Sequence, residues 1–366
     1  MADVIEELKN EQASDVFLKD NGGICFNSQV IQQAQRDLGI ELVKKAGKSI
    51  FKGKGIMRMS LPPRVNVFDT RSQLETVSSD HFSFSNLIKA AYQQGEERRD
   101  SCLRYYFDIL LETVMHQLKP FNPLMGETFS DSLTLTLENV IYTVIVEAEQ
   151  IMNHPPTSLY NIKVSSETEH LFTLNGCASL DASLLMNHSD VKRTGLNRVV
   201  FAKNQPQVFE FEQPVLRVYG LFYGQRWCHF MGKSNIAFYQ NNCKVSCAYI
   251  RNEEKKTVLG ESVEFTFAKS ESAFKSATKD RVFGTLGKQK ISGSIMGEIY
   301  KDQVLIWNNQ KASQTIQSQN TTPCFSDCRN RPDIVQFKLG NDEDADKHKN
   351  ILEERQRADR KLRGCE

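Results

Sequence analysis

The chain has 366 residues, 40% of them hydrophobic and 25% charged, with 46 Lys and Arg against 45 Asp and Glu. Those fractions are globular ones and exclude a wholly disordered chain, a collagen-like repeat and a coiled-coil rod. A net charge of +1 argues against a nucleic-acid coat, and no apolar run approaches the roughly 18 residues of a membrane span.

The acidic start MADVIEELKNEQ lacks the apolar stretch of a secretion signal. Nine cysteines, an odd number, are scattered from Cys25 to Cys365 in a chain too large to need disulfide staples, which points to free thiols in a reducing compartment. The expectation is a soluble, cytoplasmic protein. Cys243/Cys247 and Cys324/Cys328 share a C-x3-C spacing. Zinc sites more often use C-x2-C or C-x4-C with a nearby His, so no metal and no cofactor is expected. The ending Gly364-Cys365-Glu366 is not a prenylation box, which places Cys four residues from the end.

Taken in chain order, residues 1–27 read as an acidic flexible arm. Over Ser28 to Phe51, Ile31, Ala34, Leu38 and Leu42 recur at helical spacing. From Leu42 to Phe68 there is no Asp or Glu, while Lys44, Lys45, Lys48, Lys52, Lys54, Arg58 and Arg64 accumulate among Val43, Ile50, Phe51, Ile56 and Met57. This is either a solvated basic loop or a segment that meets an anionic bilayer. A helix is predicted from about Asn86 to Gln117, with Leu103, Phe107, Leu110 and Val114 as its buried stripe, ending before Pro120.

The period then changes to two. Leu133, Leu135 and Leu137 alternate with Thr134, Thr136 and Glu138; Phe209 and Phe211 with Glu210 and Glu212; Val263, Phe265 and Phe267 with Glu264 and Thr266. Strand-like runs recur from about Ser130 to Trp307 without intervening helices, which predicts one large antiparallel sheet curled into a barrel. A polar loop (Asn308 to Thr322) and a turn region lead to a surface helix over about Asp342 to Arg363.

Four clusters carry candidate chemistry. Lys119-Pro120-Phe121-Asn122-Pro123-Leu124-Met125-Gly126-Glu127 places a Lys and an Asn on a turn stiffened by two prolines, a frame for a ligand or simply a structural turn. Glu149-Gln150-Ile151-Met152-Asn153-His154-Pro155-Pro156 presents Asn153 and His154 from another proline-stiffened loop. Phe325-Ser326-Asp327-Cys328-Arg329-Asn330-Arg331-Pro332-Asp333 is charged and turn-rich. Lys349, Glu353 and Arg357 share one face of the final helix and form at least an i,i+4 ladder. There is no G-x-S-x-G elbow, H-E-x-x-H, P-loop or paired-carboxylate constellation, so an enzyme is not expected.

Together and in this order, KPFNPLMGE, EQ-x3-HPP, SDCRNRPD and K-x3-E-x3-R within KNILEERQR resemble signatures of the lipid-binding domain of the oxysterol-binding protein family. There the phrases read KPxNPxLGE, EQVSHHPP, TDSRxRPD and K-x2-LEExQR. Met59-Ser60-Leu61-Pro62 followed by Phe68-Asp69-Thr70-Arg71-Ser72 also resembles the start of the family core. The resemblance covers roughly residues 30 to 363. With no pleckstrin-homology domain, ankyrin repeats or receptor-binding motif in the sequence, it suggests a short, free-standing member.

The resemblance implies a mainly β (α+β) fold, an incomplete antiparallel β-barrel around a lipid tunnel with an N-terminal helical lid. It divides the chain into an arm (1–27), a lid and basic membrane-facing segment (28–60), the barrel core (61–335) and a C-terminal helix completing the headgroup site (336–366). It further implies a monomer that exchanges phosphatidylinositol 4-phosphate for a sterol or phosphatidylserine between membranes, in peripheral contact with anionic bilayers. The alternative is a phosphoinositide or sterol sensor or scaffold without transport. By the family pattern Lys119, His154, Lys349 and Arg357 supply positive donors to the phosphorylated headgroup, and Asn122 a neutral one. Glu353 accepts from an inositol hydroxyl or holds the two bases. The family's paired histidines are here Asn153-His154. Asparagine donates through its amide but carries no proton's charge, so binding is expected to be retained, weaker and less sensitive to pH.

Overall fold

The computed structural model describes residues 16–18, 24–26, 71–115, 120–185, 187–204, 207–221, 224, 226–239, 261–267, 282–295, 297–310, 314–319 and 322–362. The basic segment 28–60 and Cys243/Cys247 lie outside the described residues, as does Lys119. Within the stretch read as a flexible arm, Val16–Leu18 (β1) and Ile24–Phe26 (β2) form an antiparallel hairpin. Cys25 is buried there against Trp227, with Tyr219 packed beside them.

Three helices precede the barrel: Gln73–Ser79 (α1), Ser85–Tyr92 (α2) and Gly95–Met115 (α3). The single helix expected over 86–117 is therefore two. Gln93 turns extended (φ −97°, ψ 173°) and ends α2. The carbonyls left over at that end are satisfied by a buried cation. Arg98 donates through Nε to Ala90 O (2.8 Å) and through Nη2 to Ala91 O (3.1 Å), and lies 4.5 Å from the centroid of the Phe201 ring.

The predicted stripe Leu103, Phe107, Leu110 and Val114 is fully buried, and so are Cys102, Tyr105, Tyr106 and Ile109 on other faces of α3. A helix buried nearly all round lies inside a fold rather than on it. Three of its polar side chains are paired to the barrel wall. Arg104 Nε donates to Ile306 O (2.7 Å), Tyr106 OH to Ser234 Oγ (2.7 Å), and Asp108 accepts from Trp307 Nε1 (2.8 Å).

The wall begins with a meander, Thr128–Leu137 (β3), Val140–Asn153 (β4), Pro156–Ser165 (β5) and His170–Leu185 (β6), each antiparallel to the next. β6 then serves two partners, His188–Thr194 (β7) along its second half and Asn197–Phe201 (β8) along its first. β8 continues into Val208–Phe211 (β9), and β7 pairs with Val215–Tyr219 (β10). Both branches rejoin on Trp227–Tyr239 (β11). The other side of β11 carries Glu261–Phe267 (β12), followed by Val282–Leu286 (β13), Gln289–Gly293 (β14), Glu298–Lys301 (β15) and Val304–Asn308 (β16).

Gln314–Ser318 (β17) returns to pair with β3. It falls in the stretch expected to be a polar loop. Its sequence, QTIQS, has a single apolar residue and so shows no alternation, and backbone pairing rather than side-chain burial makes it a strand. The architecture is an incomplete antiparallel barrel wrapped around α1–α3. As the alternation predicts, Leu133, Leu135, Leu137, Phe209, Phe211, Phe265 and Phe267 are buried. Glu210, expected on the wet face, is also buried because Arg198 pairs with it.

Inside the barrel a polar island interrupts the apolar core. His81 contacts Tyr105 OH through Nδ1 (3.0 Å) and Tyr160 OH through Nε2 (2.9 Å). Arg193 Nη2 donates to Tyr160 OH (2.9 Å) and Nη1 pairs with Asp80 (3.4 Å). The Tyr160 ring lies over Gly176, its cross-strand partner, where a methyl group would sit 2.0 Å from Tyr160 Cζ. Burial, with help from Arg193, lowers the His81 pKa to about 3, so the imidazole is neutral.

Candidate functional site

The proline-stiffened turn 120–127 is held by backbone pairing to the start of α1: Phe121 N donates to Arg71 O and Gln73 N to Phe121 O, both 2.9 Å. Phe121 is fully buried and meets Phe337 edge-on, with ring centroids 5.4 Å apart. With Ile334 and Ala345 these rings form a small separate core. That core fastens Pro332–Lys338 (α4) and Asp342–Leu362 (α5) to the turn. Gly126, at φ +82°, takes a conformation that a side chain would strain.

Glu127 is buried at the centre. Oε1 accepts from Ser72 Oγ (2.6 Å), and Oε2 from Leu124 N and Arg331 Nη1 (both 2.8 Å). Arg331 also donates through Nη1 to Asn122 O (2.7 Å), and through Nε and Nη2 to Asp333 (3.0 and 2.6 Å). Burial works against the Arg331 charge, but Glu127 and Asp333 more than offset it and raise its pKa. The first and third sequence clusters are thus one hydrogen-bonded body.

The second cluster joins through Gln150. Gly126 N donates to Gln150 O (2.8 Å) and Gln150 N to Glu127 O (2.9 Å). The register of β4 on β5 shifts between Gln150 and Met152, and the Gln150 side chain braces that irregularity. Its Nε2 donates to Met152 O (2.6 Å), and its Oε1 accepts from Ser158 Oγ (2.5 Å). Beyond the brace stand Asn153, half-buried at the end of β4, and His154, exposed in the turn.

In the third cluster Asp327 caps the 310 turn Cys328–Asn330, accepting from Arg329 N (2.9 Å), and takes Arg329 Nε (2.8 Å) and Ser130 N (3.2 Å). Burial works against its ionised form, but the hydrogen bonds from Arg329 and Ser130 leave its pKa below the usual range. Cys324 is exposed and Cys328 buried, and both are free thiols. Among the described residues no cluster of three or more His, Cys, Asp or Glu is arranged to hold a metal ion.

The fourth cluster is a ladder on α5. Glu353 accepts from Lys349 Nζ through Oε1 (2.6 Å) and from Arg357 Nη2 through Oε2 (3.2 Å). Exposure rises along it, with side chains 10%, 20% and 62% accessible for Lys349, Glu353 and Arg357. Glu353 thus hydrogen-bonds both bases of the ladder. The frame residues Ser72, Glu127, Gln150, Arg331 and Asp333 were not singled out from sequence. Their signal was that each sits inside or beside a motif that contains a candidate ligand.

The chain thus forms an incomplete antiparallel barrel with three motifs hydrogen-bonded together at one end of its first strands, and the fourth on a helix whose start is fastened there by the Phe121 core. A model of the oxysterol-binding protein family matches residues 48–366, and the chain belongs to that family. It is 28% identical over 357 residues to oxysterol-binding protein 9 of Dictyostelium discoideum, covering 93% of this chain and 79% of that one. It is 26% identical over 250 residues to oxysterol-binding protein-related protein 5 of Mus musculus, covering 64% of this chain and only 28% of that protein. The fold is shared with the Osh1 ORD domain in complex with cholesterol (TM-score 0.61, 20% identity, 99% of this chain and 87% of that one). It is likewise shared with the Osh3 ORD in complex with PI(4)P from Saccharomyces cerevisiae (TM-score 0.60, 17% identity, 89% and 84%). No helix among the described residues is long and apolar enough to cross a membrane.

Proposed function

We propose that the protein is a monomeric, cytoplasmic lipid carrier that exchanges phosphatidylinositol 4-phosphate for a sterol or phosphatidylserine between membranes it touches peripherally. The observation that carries this reading is the union of three of the four motifs through the Glu127–Arg331–Gln150 hydrogen bonds, with the fourth fastened by the Phe121 core. Solved relatives of the same fold hold cholesterol in one case and PI(4)P in another, which supports both halves of the exchange.

The headgroup residues are Lys119, Asn122, Asn153, His154, Lys349, Glu353 and Arg357. Phosphate loses hydration on binding, and charge-assisted bonds from the basic members offset that loss. The lipid's apolar part lies in the barrel. Carrying it through water unshielded costs about 0.8 kcal/mol per methylene, a barrier of roughly 20 kcal/mol, and a covering protein lowers it with no covalent step.

A donor-to-acceptor vesicle assay tests the exchange. Phosphatidylinositol 4-phosphate should leave one population as the second lipid arrives from the other. Headgroup binding without net movement would leave a sensor or scaffold in its place.

A further inference from the structure

Two apolar side chains beside the motif cluster face solvent: Phe325 is fully exposed and Met125 is 38% exposed. Both sit on stiff turns. Cys324 O accepts from Asp327 N (3.0 Å) and from Asn330 Nδ2 (2.7 Å), and Ser326 O from Thr128 N (2.9 Å). Glu127 N donates to Leu124 O (2.9 Å) and Gly126 N to Gln150 O (2.8 Å). Thr128 links the two turns, its hydroxyl lying 2.9 Å from that of Ser326. Thr128 is also opposite Glu149 on β4, so both turns stand at the end of the barrel where β4 and β5 reach Asn153 and His154.

An exposed ring on a turn whose flanking carbonyls, Cys324 O and Ser326 O, are already paired brings fewer unsatisfied polar groups with it into an apolar layer. Two side chains are far too little for a stable protein–protein interface, which needs on the order of 1,200 Å² or more. They suit a bilayer, where each apolar group contributes independently. We propose that Phe325, with Met125 beside it, inserts into the boundary between headgroups and acyl chains of a membrane and brings the rim of the site level with the lipid headgroups. This deepens the carrier reading and rests on it, since it names the surface at which that site loads.

The test uses the full chain and vesicles of phosphatidylcholine containing phosphatidylinositol 4-phosphate. Phe325→Trp should be quenched by vesicles with brominated acyl chains well beyond the parent protein, whose two tryptophans, Trp227 and Trp307, are both buried. Phe325→Ala should partition onto unbrominated vesicles about tenfold less, the equivalent of roughly 1.4 kcal/mol, with a smaller loss for Met125→Ala. A short-chain, water-soluble phosphoinositide should bind Phe325→Ala as it binds the parent. Unchanged partitioning together with an unquenched Phe325→Trp overturns the proposal. So does a concentration-dependent dimer that Phe325→Ala abolishes while vesicle binding persists, which would assign the ring to a second copy. Quenching in a protein that ignores the short-chain ligand supports insertion and counts against the headgroup reading alone.

Discussion

The frame of the site and its rim are built on opposite terms. In the frame, Glu127, Arg331 and Asp333 are buried and both carboxylates are engaged by the guanidinium. On the rim, Arg357 is largely in solvent and shares Glu353 with Lys349, while His154 is exposed at a hairpin tip. A buried cation whose donors are directed to fixed acceptors positions the chain and has little left to offer a ligand. An exposed one contributes little to folding and keeps its charge for binding. With the proposed headgroup site, the family phrases mix two jobs, and substitution separates them.

The largest effect is expected in the frame. Arg331→Met leaves Glu127 and Asp333 buried without a counter-charge and should cost about 3–5 kcal/mol in urea unfolding. A cost near that of a surface substitution would remove the frame from the account.

The polar island gives the next effect. His81 has a folded pKa of about 3, below the ordinary 6.5, so the unfolded chain binds more protons between those values. The stabilisation is fully present above pH 6.5 and is lost as pH falls toward 3, at up to about 1.4 kcal/mol per unit. In His81→Gln that part of the acid slope should vanish. A slope equal to the parent's would mean the imidazole is charged in the fold.

Gly176→Ala pushes a methyl into the Tyr160 ring and should cost about 1–3 kcal/mol in thermal unfolding, against nothing if the ring simply swings away. Smallest is Asn153→His at the rim. It should tighten phosphoinositide binding more than about threefold, since a charged donor to phosphate outdoes a neutral one, with little change in stability. Affinity that falls on this change would contradict the role given to Asn153.

Much of this was legible in the sequence, and the gaps have physical causes. Period-two alternation marked β3 because its leucine face is buried, and it marked β9 through Phe209 and Phe211 although Glu210 between them is buried too, paired with Arg198. β17 escaped notice because pairing with β3 holds it and its polar side chains announce nothing. The α3 stripe was readable, but Tyr105 and Tyr106 lie outside it, and only the enclosing barrel explains their burial. The break between α2 and α3 is not announced by the apolar pattern, because a nearby Arg98 on the following helix supplies the cap. At the candidate site, the residues proposed for the rim come from the family phrases. The frame could not be read from them, since nothing in the order of residues says that Arg331 reaches back to Glu127 across some two hundred positions.

The most direct test of a single headgroup site assembled from the four motifs is titration of a soluble, short-chain phosphatidylinositol 4-phosphate into the parent and into Arg357→Ala, with thermal unfolding measured on both. Arg357→Ala should unfold within about 1 kcal/mol of the parent and bind the ligand more weakly by about 1.5–3 kcal/mol, at least tenfold. A parent protein that does not bind the ligand, or a variant that binds it equally well, would contradict such a site.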